Sequence, residues 1–375
     1  MKTFLIILTI FRVAFVGDPQ ADNATQISYA QKSIYRELRE RKDLDMVIFL
    51  GDLVNDRPEL IAASKASIDS LGCPWFAVPG NHDRDIYRGQ KGRRRDVKTW
   101  ESVIGYTDTA FVSNGVEFIL MNDVRTKGTS DYEAGLTESQ RQWLKRTMEA
   151  TPDNSKIVFV THIPLSEMHD KDSLAMMFEG KENVLLVSGH THQVKRRMLE
   201  AGGRKFEDLV AGASCGSWWR GFKDAAGVPD ALMNCGSPRG YFVCDFTPDG
   251  SHSLLWKTVG DDTLASATAT DSTLVVNVFG GAEEGSVSVR ARRLRLNLER
   301  RRMLAPEVAE RIEYNSSTTK EYRSLHKEEY IPMRRQFSPH VWKADLADAS
   351  RLKGKKIAVI YNDGRMSFRT RVTVR

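Results

Sequence analysis

The chain has 375 residues, more than one ordinary hydrophobic core takes up, so two domains are expected. Its net charge of +6 is unevenly spread: residues 259–375 carry 22 Lys and Arg against 15 Asp and Glu, whereas residues 1–258 carry 33 against 34. The sequence has no Gly-rich phosphate loop ending in Lys and no Cys-x-x-Cys pair, which excludes P-loop nucleotide hydrolysis and dithiol redox chemistry, and its four cysteines leave the compartment open.

In chain order, Lys2 and the apolar residues 4–10 look like the start of a secretory signal, but no small-residue cleavage site intervenes before the run 12–16. That apolar segment is too short to span a bilayer, so location stays open between the cell envelope and the cytoplasm. Residues 12–16 read as a buried strand broken off by Gly17-Asp18-Pro19-Gln20. Residues 30–42 form a helix with Ile34 and Leu38 one turn apart, and the strand 46–50 ends in Gly51-Asp52. The strand 75–78 runs into Gly80-Asn81-His82-Asp83, followed by the basic loop Arg93-Arg94-Arg95, well placed to steer an anion. A helix over 137–148 opens with a Thr-x-x-Gln capping box. Strands 157–160 and 184–187 precede Thr161-His162 and Gly189-His190-Thr191-His192. Strands alternating with helices define an α/β fold, in which side chains at the carboxyl ends of neighbouring strands converge on one crevice. Singly, each of these polar segments is an ordinary cap or loop. Together their carboxylates, imidazoles and carboxamides make a ligand set for two metal ions.

Further along, Gly212-Ala213-Ser214-Cys215-Gly216 after the apolar 209–211 matches the Gly-x-Ser-x-Gly nucleophile elbow. That elbow requires a helix next, and the bulky Ser217-Trp218-Trp219-Arg220-Gly221 reads as a loop instead. Beyond residue 260 the pattern changes to strands over 273–278, 286–298, 341–346, 355–361 and 366–374, with turns at Gly280-Gly281 and Asn362-Asp363-Gly364 and a helix over 306–313. We therefore expect an α/β catalytic domain over 1–260 and a small Ig-like antiparallel β-sandwich over 261–375. The basic excess lies on the second domain and suits contact with a polyanion or an envelope surface, although no dedicated nucleic-acid motif is present and a solvated outer face explains Arg290 to Arg295 equally well. His169, His252, His326 and His340 lack such framing and read as surface or structural. Cys73 and Cys244 read as buried thiols, and a Cys215–Cys235 bridge is left open.

The order Asp-x-Gln, Gly-Asp, Gly-Asn-His-Asp, His-Ile-Pro, Gly-His-Thr-His resembles the calcineurin-like metallophosphoesterases. The resemblance implies an αββα four-layer sandwich carrying a dinuclear phosphoesterase centre. Asp18, Gln20, Asp52 and His192 would surround one divalent ion, Asp52, Asn81, His162 and His190 the other, and Asp52 would bridge. Such a pair, about 3.5–4 Å apart, holds a bridging hydroxide and neutralises the charge of phosphoryl transfer. His82 would point at the leaving group as general acid. Two departures stand out: many relatives have His where Gln20 stands, and Asn55 occupies the place of the Asp that orients the catalytic His in the protein-phosphatase branch, so that Asn55 or Asp56 is left to support His82 and Arg57 as a phosphate contact is left open. Imidazole suits zinc and iron, whereas the extra oxygen donor of Gln20 tilts that site toward manganese or magnesium. The Asp-Pro-Gln start, the Trp218-Trp219-Arg220 loop, Arg239 and the stretch His340 to Ala344 resemble a bacterial, often exported, subgroup with an extra C-terminal β-domain. There Trp218, Trp219, Arg220 and Arg239 would contact a phosphate-ester substrate. A phosphodiesterase or nuclease acting on a polyanion, and a catalytically silent binding protein on the same fold, are the alternatives.

Overall fold

The computed structural model describes residues 10–85, 97–127, 131–292 and 294–375. The Arg93-Arg94-Arg95 loop, Arg293 and the apolar residues 4–9 lie outside them. Among the described residues no helix is long and apolar enough to cross a membrane.

Two mixed sheets face each other. The first has the strand order His252–Thr258, Gly240–Phe246, Phe11–Val16, Met46–Phe49, Trp75–Ala77, and the second Val194–Ala201, Arg204–Ala211, Asn183–Ser188, Lys156–Val160, Val116–Leu120, Thr109–Ser113. Alternation along the strands assigns the layers. Val13, Phe15, Ile48 and Leu50 point inward to meet Val158, Val160, Leu185 and Val187 of the opposite sheet. Ala14, Val16, Val47 and Phe49 point outward under the helices Ala24–Lys32, Ile34–Glu40 and Ile61–Asp69. On the far side Ile157, Phe159 and Leu186 are covered by Leu144 and Met148 of the helix Glu138–Ala150 and by Phe178. This is the expected αββα sandwich, and each fully buried Val, Leu, Ile or Phe contributes about 1.5–3 kcal/mol.

The predicted capping box is present: Thr137 accepts from the Gln140 backbone N–H and the Gln140 side chain reaches back to the Thr137 N–H. The helix expected over 30–42 is instead two helices that break at Ser33, whose hydroxyl donates to the Tyr29 carbonyl at 2.6 Å and competes with the helical ladder.

Val124–Lys127 and Asp131–Ala134 pair as a two-stranded ribbon, and the other strands form one seven-stranded antiparallel sheet, in the order Ala265–Ala269, Thr273–Val278, Val341–Asp345, Leu294–Arg300, Ser286–Ala291, Lys356–Asn362, Ser367–Thr373. Its two edges meet, because Arg375 N–H donates to the Ala267 carbonyl at 3.0 Å and Ala269 N–H to the Arg375 carbonyl at 2.9 Å. The β-domain is thus a nearly closed barrel, in which two sheet halves join through the short pairing of Glu299 and Arg300 with Lys343 and Trp342. The single strand expected over 286–298 is a hairpin, with Arg292 in the left-handed region at φ 47° between its arms. Four free thiols replace the open Cys215–Cys235 question, and Cys73 is half-exposed rather than buried.

Candidate metal centre

The strands Phe11–Val16, Met46–Phe49 and Trp75–Ala77 are parallel neighbours, as are Lys156–Val160 and Asn183–Ser188 in the other sheet. Their carboxyl ends therefore open side by side, and the turns that follow carry Asp18, Asp52, Asn81, His162 and His190 to one end of the sandwich. The backbone there is strained. Among the described residues nine non-glycine residues have positive φ, and six of them are Asp18, Gln20, Asp52, Asp56, His190 and His192. The turns also need glycine for close approach: a Cβ on Gly80 would stand 2.1 Å from Asp52 Oδ1, and one on Gly189 would stand 2.6 Å from Asp18 Oδ2.

Four donors are tightly gathered. His162 Nε2 lies 3.0 Å from Asn81 Oδ1, 3.2 Å from His190 Nδ1 and 3.4 Å from Asp52 Oδ2, and Asp52, His162 and His190 form a cluster able to hold a cation. The other four predicted ligands, which share Asp52, are looser. Gln20 Nε2 is 3.4 Å from Asp52 Oδ2, and rotating its amide by 180° would present Oε1 there. Asp18 accepts the His190 N–H at 3.1 Å, and Cys215 Sγ lies 3.9 Å from both Gln20 Oε1 and His192 Nδ1.

Carbonyls fix the imidazole tautomers, since a carbonyl can only accept. His162 Nδ1 faces the Leu50 carbonyl at 2.7 Å and His192 Nδ1 the Gly216 carbonyl at 2.8 Å, which leaves each Nε2 with its lone pair when the ring is neutral. Charge is unbalanced. Asp18, Asp52, Asp83 and Asp123 are all buried, and among the described residues none has Lys or Arg within ion-pair distance. Burial drives the Asp18 carboxyl well above the usual range and lifts Asp83 and Asp123 to about 7. Burial also pushes His190 down to about 3 and His192 to about 4, keeping both neutral. Burial would lower His162 too, but Asp52 outweighs it and raises the ring to about 10 in the absence of a metal. Buried, mutually facing O and N donors with uncompensated carboxylates fit a divalent metal.

Asp83 accepts the Gly80 and Val54 N–H groups, and Asp123 those of His162 and Ile163, so these two carboxylates hold the ligand turns. His82 lines the cavity above the cluster, where its N–H donates to Asp52 Oδ1 at 2.9 Å and its ring Nδ1 is 3.0 Å from Asp56 Oδ1. Of the two candidates, Asp56 takes the supporting place. Arg57 pairs with Glu59 and does not line the cavity.

The cavity has a volume of about 720 Å³, and Trp218, Arg220, Lys195 and Tyr132 stand in its wall. Trp218 stacks on His192 with ring centroids 5.6 Å apart. Trp219 and Arg239 do not reach it, which corrects the expectation that they contact substrate. The Trp219 indole donates to the Pro19 carbonyl at 2.7 Å beneath the loop, and the Arg239 guanidinium lies 5.7 Å over the Trp219 ring. Ser214 is fully buried and followed by a turn, so the elbow pattern has no nucleophile to offer. Arg334 and Gln336 also line the cavity. Sequence reading misses them, because only the packing of the β-domain brings residues from beyond 330 to this mouth.

Site and fold together define an α/β sandwich with a divalent-metal site at one end of its paired sheets. Sequence comparison places it more narrowly: the description "Calcineurin-like phosphoesterase" matches residues 11–194 and "C terminal of Calcineurin-like phosphoesterase" matches residues 208–365, and the chain belongs to that family. A probable glycerophosphodiester phosphodiesterase, GpdQ, of Arcobacter nitrofigilis is 25% identical over 203 residues, covering 48% of this chain and 72% of the relative. Among solved structures, a dimetal phosphatase from Danio rerio aligns with a TM-score of 0.44 at 12% identity, over 66% of this chain and 98% of that one. Phosphopantetheinyl hydrolase from Mycobacterium tuberculosis aligns with a TM-score of 0.34 at 13% identity, over 59% of this chain and 95% of the other.

Proposed function

We propose that the protein hydrolyses phosphate esters at a dinuclear centre whose ligands are Asp18, Gln20, Asp52 and His192 on one side and Asp52, Asn81, His162 and His190 on the other. The observation that carries this reading is the meeting of His162, His190, Asn81 and Asp52 donors within hydrogen-bond reach in a buried, carboxylate-rich pocket. Two bound divalent ions would supply an activated water and neutralise the charge that develops on the phosphoryl oxygens. The extra oxygen of Gln20 favours manganese on the first side over iron or zinc.

The chain's own residues do the rest. Leu50 and Gly216 carbonyls keep His162 and His192 in the ligating tautomer. Asp56 holds one nitrogen of His82 and turns the other toward the cavity, where it donates a proton to the departing ester oxygen. Arg220 meets the non-bridging oxygens, and Trp218 offers its face to the leaving group. Residues 1–260 supply this chemistry and residues 261–375 the appended wall.

The test is to strip the purified protein with chelator, restore manganese, iron or zinc singly, and assay p-nitrophenyl phosphate, its bis-ester and nucleotides. Activity is expected to return with metal content at about two ions per chain. Asp52→Ala is expected to lose both ions and turnover. Full activity in the stripped protein would end the reading.

A further inference from the structure

A second cavity of about 530 Å³ opens directly from the first, since Gln193, Lys195 and Gln336 stand in the walls of both. Its remaining wall brings Arg197 of the strand Val194–Ala201 together with Arg300, Arg302 and Arg335 of the β-domain, against the single carboxylate Glu283. Arg197 is paired with Asp208 at 3.1 Å and Arg300 with Glu283 at 3.6 Å. Lys195, Arg302 and Arg335 have no carboxylate within ion-pair distance among the described residues, and neither do Arg220 and Arg334 in the adjoining cavity. The backbone that presents them is fixed: Ser338 N–H donates to the Met303 carbonyl at 2.9 Å, Arg301 N–H to the Val341 carbonyl at 2.9 Å, and Arg334 N–H to Asn234 Oδ1 at 2.8 Å. Like charges gathered in one groove repel, and a bound anion relieves that repulsion.

We propose that this groove is a second anion-binding site, and that the substrate is a phosphate ester carrying a second phosphate group, one held at the metal centre and one between Arg302 and Arg335. This rests on the phosphoesterase reading above and adds the substrate class. Lys195, three residues beyond His192 and shared by both cavities, spans the two sites. The bounded volume and the presence of Glu283 favour a short doubly anionic molecule over a continuous polymer.

The test uses the full chain and two readouts. In calorimetry on chelator-stripped protein, inorganic tripolyphosphate is expected to bind about tenfold more tightly than orthophosphate, and R302A/R335A is expected to abolish that preference, whereas R302K/R335K keeps most of it. With the manganese-loaded enzyme, the ratio of kcat/KM for adenosine 3′,5′-bisphosphate to that for AMP is expected to fall about tenfold in R302A/R335A, chiefly through KM, with an unchanged melting temperature certifying the fold. Equal affinities for the two anions, or an unchanged ratio, would overturn the proposal. So would displacement of tripolyphosphate by polyuridylate at lower phosphate concentration, which would assign the groove to a polymer. Tripolyphosphate binding without hydrolysis of any ester would instead remove the phosphoesterase reading and leave the groove in place.

Discussion

His82 and Asp56 are tied in both directions: the ring nitrogen meets the Asp56 carboxylate at 3.0 Å, and the Asp56 N–H donates to the His82 carbonyl at 3.0 Å. Burial alone would lower the imidazole, but Asp52 and Asp56 outweigh it and raise it, which suits a group that delivers a proton. Asp56→Asn keeps the shape and removes the charge, so kcat for p-nitrophenyl phosphate is expected to fall about 10–100-fold with KM and metal content held. His82→Ala is expected to cost about 10²–10⁴-fold in kcat, again with both metals retained. Steady-state kinetics beside elemental analysis checks both, and loss of metal in His82→Ala would remove the assigned role. At this scale the sequence was informative where residue type and strand end coincide, as at Asp52, His162 and His190. It was silent on Asn55 against Asp56, because the choice depends on the left-handed turn at Asp56, φ 55°, which no composition rule requires. Trp219 and Trp218 are adjacent and chemically identical, and only the Pro19 carbonyl below the loop separates anchor from wall.

Elements built on local periodicity were legible, including the capped helix Glu138–Ala150 and the five strands that run into the ligand turns, whereas the outer strands of the central sheets, such as Thr109–Ser113 and Val194–Ala201, and the closure of the β-domain were not. Strand lengths are the same in a sandwich and a barrel, and what joins the edges here is a contact between Ala267 and residues 374–375. At the start of the strand Val341–Asp345 sits a buried polar knot: His340 Nδ1 lies 2.7 Å from Asn277 Oδ1 and Nε2 lies 3.3 Å from Ser237 Oγ. Burial pushes His340 down to about 4, so the folded protein keeps it neutral while the unfolded chain takes up a proton below about 6.5. Its contribution is therefore complete above that pH and is lost as pH falls from about 6.5 through 4. Between pH 7 and 5 this amounts to about 2 kcal/mol. His340→Gln retains a donor for Asn277 and does not titrate. Urea unfolding of that variant should show a flatter stability profile over pH 7 to 5 than the parent, and parallel profiles would mean that His340 is not the group responsible.

Across the whole molecule, the charge asymmetry between residues 1–258 and 259–375 was visible in the composition, but the dependence of one part on the other was not, because it rests on pairings such as Arg196 with Asp363 that no local pattern announces. Phe242 and Trp256 of the first sheet share one continuous core with Val278, Trp342 and Tyr361 of the β-domain. Into that core the strand Val194–Ala201 sends Arg196, which donates to the Gly280 carbonyl at 3.0 Å and to Asp363 at 2.6 Å, while Tyr361 donates to the same carboxylate at 2.6 Å. Burial would raise Asp363, but Arg196 and Tyr361 outweigh it and hold it below the ordinary value. Removing one partner of a buried pair strands the other, so Asp363→Ala is expected to cost about 3–5 kcal/mol. With the core shared, the loss should lower a single unfolding transition rather than split off an early one, as calorimetry with urea midpoints can show. The same packing predicts that residues 1–260 expressed alone expose Phe242, Trp256 and Arg196 and bind a hydrophobic dye that the full chain excludes. A soluble, cooperatively unfolding 1–260 fragment would mean that the β-domain only shapes the mouth of the site, and that the shared core does not hold the catalytic sheets together.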